Sequence, residues 1–172
     1  MKIICQILLI LMLDLLAVGL VAASQTEMQS FDCESSPKGT FDLSKIDESI
    51  TKEFMKAWNR SHNGIDSIEA GIYIFRNVDG SYRCIEMRYT NEPGGITTTM
   101  DPAAIALVHT HPTRLDPKPS DADIRVADKY CVPIFTITSW GMYMYDPKTK
   151  KITLIQHNLE WLSASKWKRN AQ

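Results

Sequence analysis

The feature that most restricts the fold is an apolar run in the middle of the chain, residues 103–111 (AAIALVHTH). Its length and hydrophobicity are typical of a strand that is buried within a sheet. After a Pro-rich loop, residues 120–131 (SDADIRVADKYC) have the pattern of a helix, and residues 133–139 (PIFTITS) have that of another strand. These three elements predict a sheet with a helix packed against it.

A second helix is predicted upstream of the strands, from Ser44 to about Asn59. Ser44 and Asp47 resemble the start of a capping box, and the polar sequence SHNG ends the segment. The apolar residues that recur at helical spacing on one face are Ile46, Ile50, Phe54, Ala57 and Trp58. This face predicts a helix that packs on the sheet.

The remaining apolar segments are predicted to be strands. Residues 71–77 and 81–90 flank an Asp-Gly turn and are predicted to form a hairpin. Residues 142–147 follow a Trp-Gly turn, and residues 151–156 follow a Lys-rich turn. Both segments are therefore predicted to add strands to the sheet.

The order of helices and strands predicts an α+β domain over residues 44–160, with a single mixed sheet and packed helices. Residues 24–43 are rich in Ser, Pro and Gly and are predicted to be a flexible arm. Residues 161–172 carry Lys and Arg and are predicted to form a solvated C-terminal tail. The formal net charge of −1 offers no argument for nucleic-acid binding.

The first 23 residues have the pattern of a secretory signal peptide. Lys2 precedes a long apolar run, and the small residues Val-Ala-Ala end at Ala23, before the polar Ser24. This arrangement predicts cleavage after Ala23 and a secreted or periplasmic mature protein. Asp14 interrupts the apolar run, and the alternative is an uncleaved membrane anchor, which is the only membrane contact that the sequence suggests.

Three cysteines remain after such a cleavage: Cys33, Cys84 and Cys131. In an oxidising compartment two of them can pair, but their positions do not choose the pair. The alternative is three separate thiols. No C-x-x-C spacing is present, which argues against a thiolate zinc site.

Two histidines end the central apolar run. Side chains at positions i and i+2 of a strand point to the same face, so His109 and His111 are expected to converge. Imidazole nitrogens are good zinc ligands, and a catalytic zinc site keeps one position open. Asp123 lies one turn into the following helix and can supply the third ligand.

The segment that contains Asp123 also has a purely structural interpretation. Ser120 is suited to the N-cap position of the helix, and Asp123 then occupies N3, as in a capping box. Capping alone would account for both residues.

The complete set of residues resembles the signature of the JAMM, or MPN-domain, metalloprotease family. The family pattern is a glutamate on an early strand, then H-[S/T]-H-P, a short loop and S-x-x-D. The matching residues here are Glu69, then His109, Thr110, His111 and Pro112, then Ser120 and Asp123. The resemblance covers roughly residues 44–146 and implies the family's sheet with packed helices, in cytidine-deaminase-like layering.

The resemblance implies a role for each site residue. His109, His111 and Asp123 would bind Zn²⁺, Ser120 would help to stabilise an oxyanion, and Glu69 would act as general base and acid. Glu86, on the next predicted strand, is the alternative base. The loop between His111 and Ser120 has eight residues, where the family usually has seven.

The function implied is that of a secreted, zinc-dependent hydrolase of peptide or isopeptide bonds. The pattern is most similar to bacterial JAMM-like domains of toxin and secretion systems. Its substrate would be a peptide, an isopeptide-linked protein or, in a bacterial envelope, a peptidoglycan cross-link. The alternative is a JAMM-like envelope binding module, such as an accessory, immunity or secretion-system protein, that does not catalyse a reaction.

The signal-peptide pattern predicts that the mature protein begins at or near Ser24. N-terminal sequencing of protein recovered from the producing cell would measure this directly. Recovery of the intact Met1 terminus from the membrane fraction would instead identify the segment as an anchor.

Overall fold

A computed structural model describes Cys33 and residues 41–65, 67–88 and 99–162. All of these belong to one compact unit, Phe31–Gln172. The predicted signal peptide and its cleavage site lie outside the described residues, as do most of the arm and all but two residues of the tail. Within the described ranges, no helix is both long enough and apolar enough to cross a membrane.

The domain is built on a six-stranded mixed sheet, so the predicted α+β class with a single mixed sheet is confirmed. The strand order is β2-β1-β3-β4-β5-β6, in which only β3 and β4 are parallel neighbours. The strands are β1 (Gly71–Arg76), β2 (Tyr82–Glu86), β3 (Ala106–Thr110), β4 (Ile134–Thr138), β5 (Gly141–Asp146) and β6 (Lys151–His157). The two α-helices are α1 (Glu48–Arg60) and α2 (Asp121–Tyr130).

Each face of the sheet is covered by one helix. Because side chains alternate along a strand, neighbouring residues enter different cores. The core under α1 takes Ile72, Ile74, Val108, Phe135, Ile137 and Met142 from the sheet. The core under α2 takes Tyr73, Phe75, Leu107, Ile134 and Tyr145. The central strands are buried on both sides, as the apolar run predicted.

Helix α1 begins four residues later than the sequence pattern predicted. Residues Leu43–Lys45 form a single 3-10 turn, and Ser44 lies inside it rather than at the N-cap. Asp47 is the N-cap, because its carboxylate accepts hydrogen bonds from the backbone N–H groups of Ser49 and Ile50. The Asp side chain satisfies two helix-start donors at once, so the start predicted at Ser44 was wrong.

The predicted hairpin is confirmed, with β1 and β2 paired antiparallel. Gly80 in the connecting turn has a φ of 81°, which glycine adopts without steric cost. Strand β3 is shorter than predicted at its start. Asp101 forms a turn there, since its carboxylate accepts a hydrogen bond from the N–H of Ala103 and its carbonyl accepts one from Ala104.

The domain extends beyond its predicted boundaries at both ends. Trp161 and Leu162 form part of a 3-10 turn and are buried in the core under α1, so they do not belong to a solvated tail. At the other end, Phe41 stacks on Tyr82, with ring centroids 5.1 Å apart. Burying a large aromatic or aliphatic side chain lowers its free energy relative to leaving it in water. These flanking residues therefore pack on the core, and the folded domain is longer than predicted.

The structure resolves the choice among the cysteines. A disulfide joins Cys33 to Cys131, and Cys84 is a free, half-buried thiol. The predicted flexible arm is therefore attached to the domain at Cys33. Cys131 is the C-cap of α2, in the left-handed conformation, so the disulfide ties the arm to the end of that helix.

The N-cap of α1 leads to a prediction with an internal control. Replacing Asp47 by Ala should lower the free energy of unfolding by about 1 kcal/mol, because two backbone donors lose their acceptor. Ser44→Ala, at the start predicted from sequence, should change it by less than about 0.5 kcal/mol. Urea unfolding of the three proteins measures both values.

The loss of stability in Asp47→Ala should also depend on pH. Burial raises the pKa of Asp47, but hydrogen bonds from the Ser49 side chain and from backbone N–H groups outweigh it and lower the pKa below its ordinary value. The carboxylate therefore stabilises the fold above that ordinary value and ceases to do so as the pH falls through the folded-state pKa. If the difference in free energy of unfolding between wild type and Asp47→Ala stayed constant down to strongly acidic pH, this prediction would be wrong.

Candidate metal centre

The two histidines meet at the carboxyl end of β3. His109 lies on the strand, and His111 follows directly, its N–H bonded to the carbonyl of Ile137 at 2.9 Å. The Nε2 atoms of the two imidazoles are 3.0 Å apart, and both side chains are buried. The expected convergence of positions i and i+2 is therefore observed.

Asp123 completes a group of three side chains that can hold a metal ion. Its Oδ1 lies 3.4 Å from His109 Nε2, and its Oδ2 lies 3.7 Å from His111 Nε2. Two ligand atoms about 2.1 Å from an ion, at a tetrahedral angle, are about 3.4 Å apart. The separations from His109 Nε2 to His111 Nε2 and to Asp123 Oδ1, 3.0 and 3.4 Å, are close to that value. One ligand atom from each of the three side chains lies within 4.8 Å of the others, so the group can close around one ion after side-chain adjustment.

Ser120 and Asp123 also form the capping box that the alternative interpretation predicted. The Ser120 hydroxyl and backbone N–H both donate to Asp123 Oδ2 at 2.7 Å, and Asp123 N–H donates back to the hydroxyl oxygen. The two interpretations are compatible, because Oδ1 remains directed at His109. The capping box fixes the orientation in which Asp123 presents its free oxygen.

A backbone carbonyl sets the tautomer of His111. Its Nδ1 lies 2.8 Å from the carbonyl oxygen of Asp116, and a carbonyl can only accept, so Nδ1 carries the proton. In the neutral ring Nε2 then has a free lone pair directed at the cluster. Metal-binding histidines are commonly oriented in this way. The sequence did not single out Asp116, because a carbonyl contact has no side-chain signature.

The loop from His111 to Ser120 is held against the sheet, and its eight residues do not prevent Asp123 from reaching the histidines. The buried Thr136 hydroxyl donates to the carbonyl of Pro117 at 2.7 Å. Thr136 pairs with His109 across β3 and β4, so this bond is made beside the cluster.

The charges of the cluster favour a cation at its centre. Burial lowers the pKa of His109, but the carboxylate of Asp123, with a smaller contribution from Glu69, raises it by more. Burial raises the pKa of Asp123, but the adjacent imidazoles and the Ser120 hydrogen bond hold it well below its usual range. The carboxylate therefore stays ionised beside the two rings, as a metal ligand must.

Glu69 lines the same cavity as the three ligands. In the pairing of β1 with β3, Gly71 lies opposite His109, so continuing the register by two residues places Glu69 opposite His111. Glu69 is half-buried. Hydrogen bonds continue this pairing as far as Ala70, because the Thr110 side chain accepts one from Ala70 N–H at 2.9 Å and Thr110 N–H donates to the Ala70 carbonyl.

Glu86 lies on the other face of the sheet. It pairs with Ile72, which belongs to the core under α1, and its carboxylate forms an ion pair with Arg60 of that helix. Because Glu69 borders the cluster and Glu86 does not, Glu69 is the better placed of the two candidate bases.

No model of a known protein family matches the chain, and no curated protein matches it. The resemblance to the JAMM family therefore stays a prediction that rests on the residues quoted above. What the structure adds is that Glu69, His109, His111, Ser120 and Asp123, which are scattered over 55 positions of sequence, line one cavity.

The cluster predicts a stoichiometric metal site. Purified protein should bind about one divalent transition-metal ion per chain, since three converging ligands typically hold such an ion. His109→Ala and His111→Ala should each lose most of the bound metal, whereas His157→Ala, at the exposed end of β6, should retain it. Elemental analysis after dialysis measures the stoichiometry and the identity of the metal together. Protein that takes up no metal, and whose melting temperature no metal shifts, would refute the site.

Proposed function

We propose that this protein is a zinc-dependent hydrolase of peptide or isopeptide bonds that acts outside the cytoplasm. The observation that supports this most strongly is a half-buried carboxylate, Glu69, in the same cavity as three converging metal ligands. A purely structural zinc site is usually closed by four protein ligands, while a catalytic site has three and an open position. Within the described residues the cluster contains three.

His109, His111 and Asp123 would hold the zinc ion. Two imidazole nitrogens and one carboxylate oxygen are a donor set used by zinc hydrolases. When bound, zinc would lower the pKa of a coordinated water toward about 7 and polarise the substrate carbonyl. The buried imidazoles exclude bulk water from their side of the cluster, which strengthens electrostatic interactions there.

Glu69 would accept a proton from the attacking water and deliver it to the leaving amine. A general base has to lie within hydrogen-bond reach of the proton that it removes. The segment leading to Glu69 is anchored to the loop that follows β3. The N–H of Thr113 donates to the carbonyl of Gly64 at 2.8 Å, and Arg114 hydrogen-bonds Ser67.

Ser120 would act first by positioning Asp123. Its hydroxyl proton is donated to Asp123 Oδ2, and a hydroxyl has only one proton to give. The oxyanion role that the family resemblance implies would require the hydroxyl to turn from Asp123 toward the substrate. The backbone N–H of Ser120 would keep its bond to Asp123 during this rotation.

The proposed compartment agrees with the cysteines. A disulfide between Cys33 and Cys131 is favoured in an oxidising environment and is rare in the cytosol. In such a compartment a peptidoglycan cross-link or an exported peptide is a more accessible substrate than a cytoplasmic conjugate. We also propose that the sheet and its helices have the JAMM-like layering, since the site residues lie before β1, at the end of β3 and at the start of α2, in the order of the family pattern.

The proposed function predicts separable effects on rate and on metal content. Glu69→Gln preserves the shape of the side chain but cannot accept a proton, so amide hydrolysis should fall roughly 10²–10⁴-fold. Zinc content should not change, because Glu69 is not one of the three ligands. Hydrolysis is measured with a panel of peptides, isopeptide conjugates and peptidoglycan fragments, alongside elemental analysis.

Glu86→Gln is the matched control. It makes the same chemical change on the opposite face of the sheet and should leave the rate within about threefold. Full activity in Glu69→Gln, or loss of its zinc, would refute the role assigned to Glu69. Absence of hydrolysis across the whole panel by zinc-loaded wild type would favour the binding-module function.

A further inference from the structure

The cavity at the metal cluster continues well beyond the ligands. Its volume is about 950 Å³, which is near the upper end of the range for ligand-binding clefts. Helix α2 makes its main contacts with β4 and β5. The cavity runs along one side of α2 as a groove, and the metal cluster lies where that helix begins.

Two exposed apolar side chains line the groove. Leu115 lies on the loop before α2 and is 44% exposed, and Val126 lies on α2 and is 36% exposed. Tyr73, Leu107 and Met87 also border the groove but belong to the buried core. Exposed apolar side chains beside a polar cluster are suited to contacting a hydrophobic side chain of a substrate.

Two cations line the groove farther along α2. Arg125 and Lys129 are both exposed and lie one helical turn apart, where like charges repel. Within the described part of the chain neither forms an ion pair. The carboxylates that line the groove along α2, Asp121 and Asp123, are confined to its first turn. At the metal end Glu69, Asp116, Asp121 and Asp123 outnumber Lys118, so that end is acidic, and the groove becomes basic toward the end of α2.

The spacing along α2 limits how far an anion would be from the metal. From Asp123 to Lys129 the helix rises about 9 Å. An extended peptide covers that distance in about three residues. An anionic group that reaches Arg125 and Lys129 would thus belong to a residue two or three positions from the bond at the metal cluster.

From this arrangement we propose that the groove binds an extended acidic-apolar peptide segment of the substrate. One apolar side chain of the segment packs on Leu115 and Val126, and a carboxylate two or three residues from the scissile amide pairs with Arg125 and Lys129. This inference rests on the proposed hydrolase function and specifies its substrate class. Such a groove would bind a carboxylate-bearing peptide more tightly than a neutral, glycine-rich tail.

Binding of short peptides tests the groove without relying on turnover. The probes are capped hexapeptides of Ala and Gly that contain one leucine and one glutamate two or three residues apart, titrated calorimetrically into zinc-loaded wild-type protein. The matched probes replace glutamate by glutamine, or leucine by alanine. We expect the leucine–glutamate peptide to bind about tenfold more tightly than either, because each replacement removes one of the two contacts.

Variants of α2 show whether the preference comes from the groove. The double variant Arg125→Gln and Lys129→Gln should bind the glutamate and glutamine peptides equally, within about twofold. Charge reversal to Glu at both positions should make the protein prefer a peptide in which lysine replaces the glutamate. Val126→Ser should weaken binding of leucine peptides but not of alanine peptides. Lys151→Gln, on an exposed residue of β6 outside the groove, should change nothing. Zinc content and melting temperature confirm that each variant is folded.

The outcomes separate this proposal from the proposed function. Equal binding of the glutamate and glutamine peptides, a preference that survives in the double variant, or no binding of any peptide would overturn the groove assignment. Mass spectrometry of the titrated peptides reports cleavage in the same samples. Glutamate-dependent binding without cleavage would support the groove assignment and count against the hydrolase function. Cleavage of peptides without a preference for glutamate would support the hydrolase function and count against the groove assignment.

Discussion

The parallel pairing of β3 with β4 is the constraint from which the site follows. Parallel neighbours cannot be joined by a tight turn, so the chain must cross over the sheet between them, and here it does so as α2. A crossover helix begins beside the carboxyl end of the strand that precedes it. This brings His109 and His111, at the end of β3, next to Asp123 in the first turn of α2. In open sheets this edge is where ligands commonly bind.

Several polar contacts around the cluster act both on the fold and on the site. The bonds between Ser120 and Asp123 satisfy the start of α2 and also fix one carboxylate oxygen, leaving the other for a metal. Thr110 extends the pairing of β1 with β3 and thereby holds the backbone next to Glu69. Stability and function are therefore coupled here, and a variant that loses activity must be checked for folding before a chemical role is assigned.

The groove beside the cluster has a different chemical character at each end. Its metal end is acidic and can hold a cation, Leu115 and Val126 add exposed apolar surface, and Arg125 and Lys129 lie farther along α2. A peptide with an apolar side chain and a carboxylate would complement all three regions. The Cys33–Cys131 disulfide lies at the C-terminal end of the same helix, so it stabilises the wall that would contact the substrate.

Local patterns in the sequence were sufficient for the class of fold, most of the strands, the hairpin and the convergence of His109 with His111, because all of these follow from side-chain periodicity. The start of α1 was also decided locally, by the Asp47 side chain, which caps the helix in preference to Ser44. The burial of Trp161 and the choice of Cys33 and Cys131 depended on tertiary packing, which no local pattern contains. The same holds for the carbonyl of Asp116 and for the groove along α2. A backbone contact leaves no side-chain signature, and a cavity exists only when segments distant in sequence are brought together.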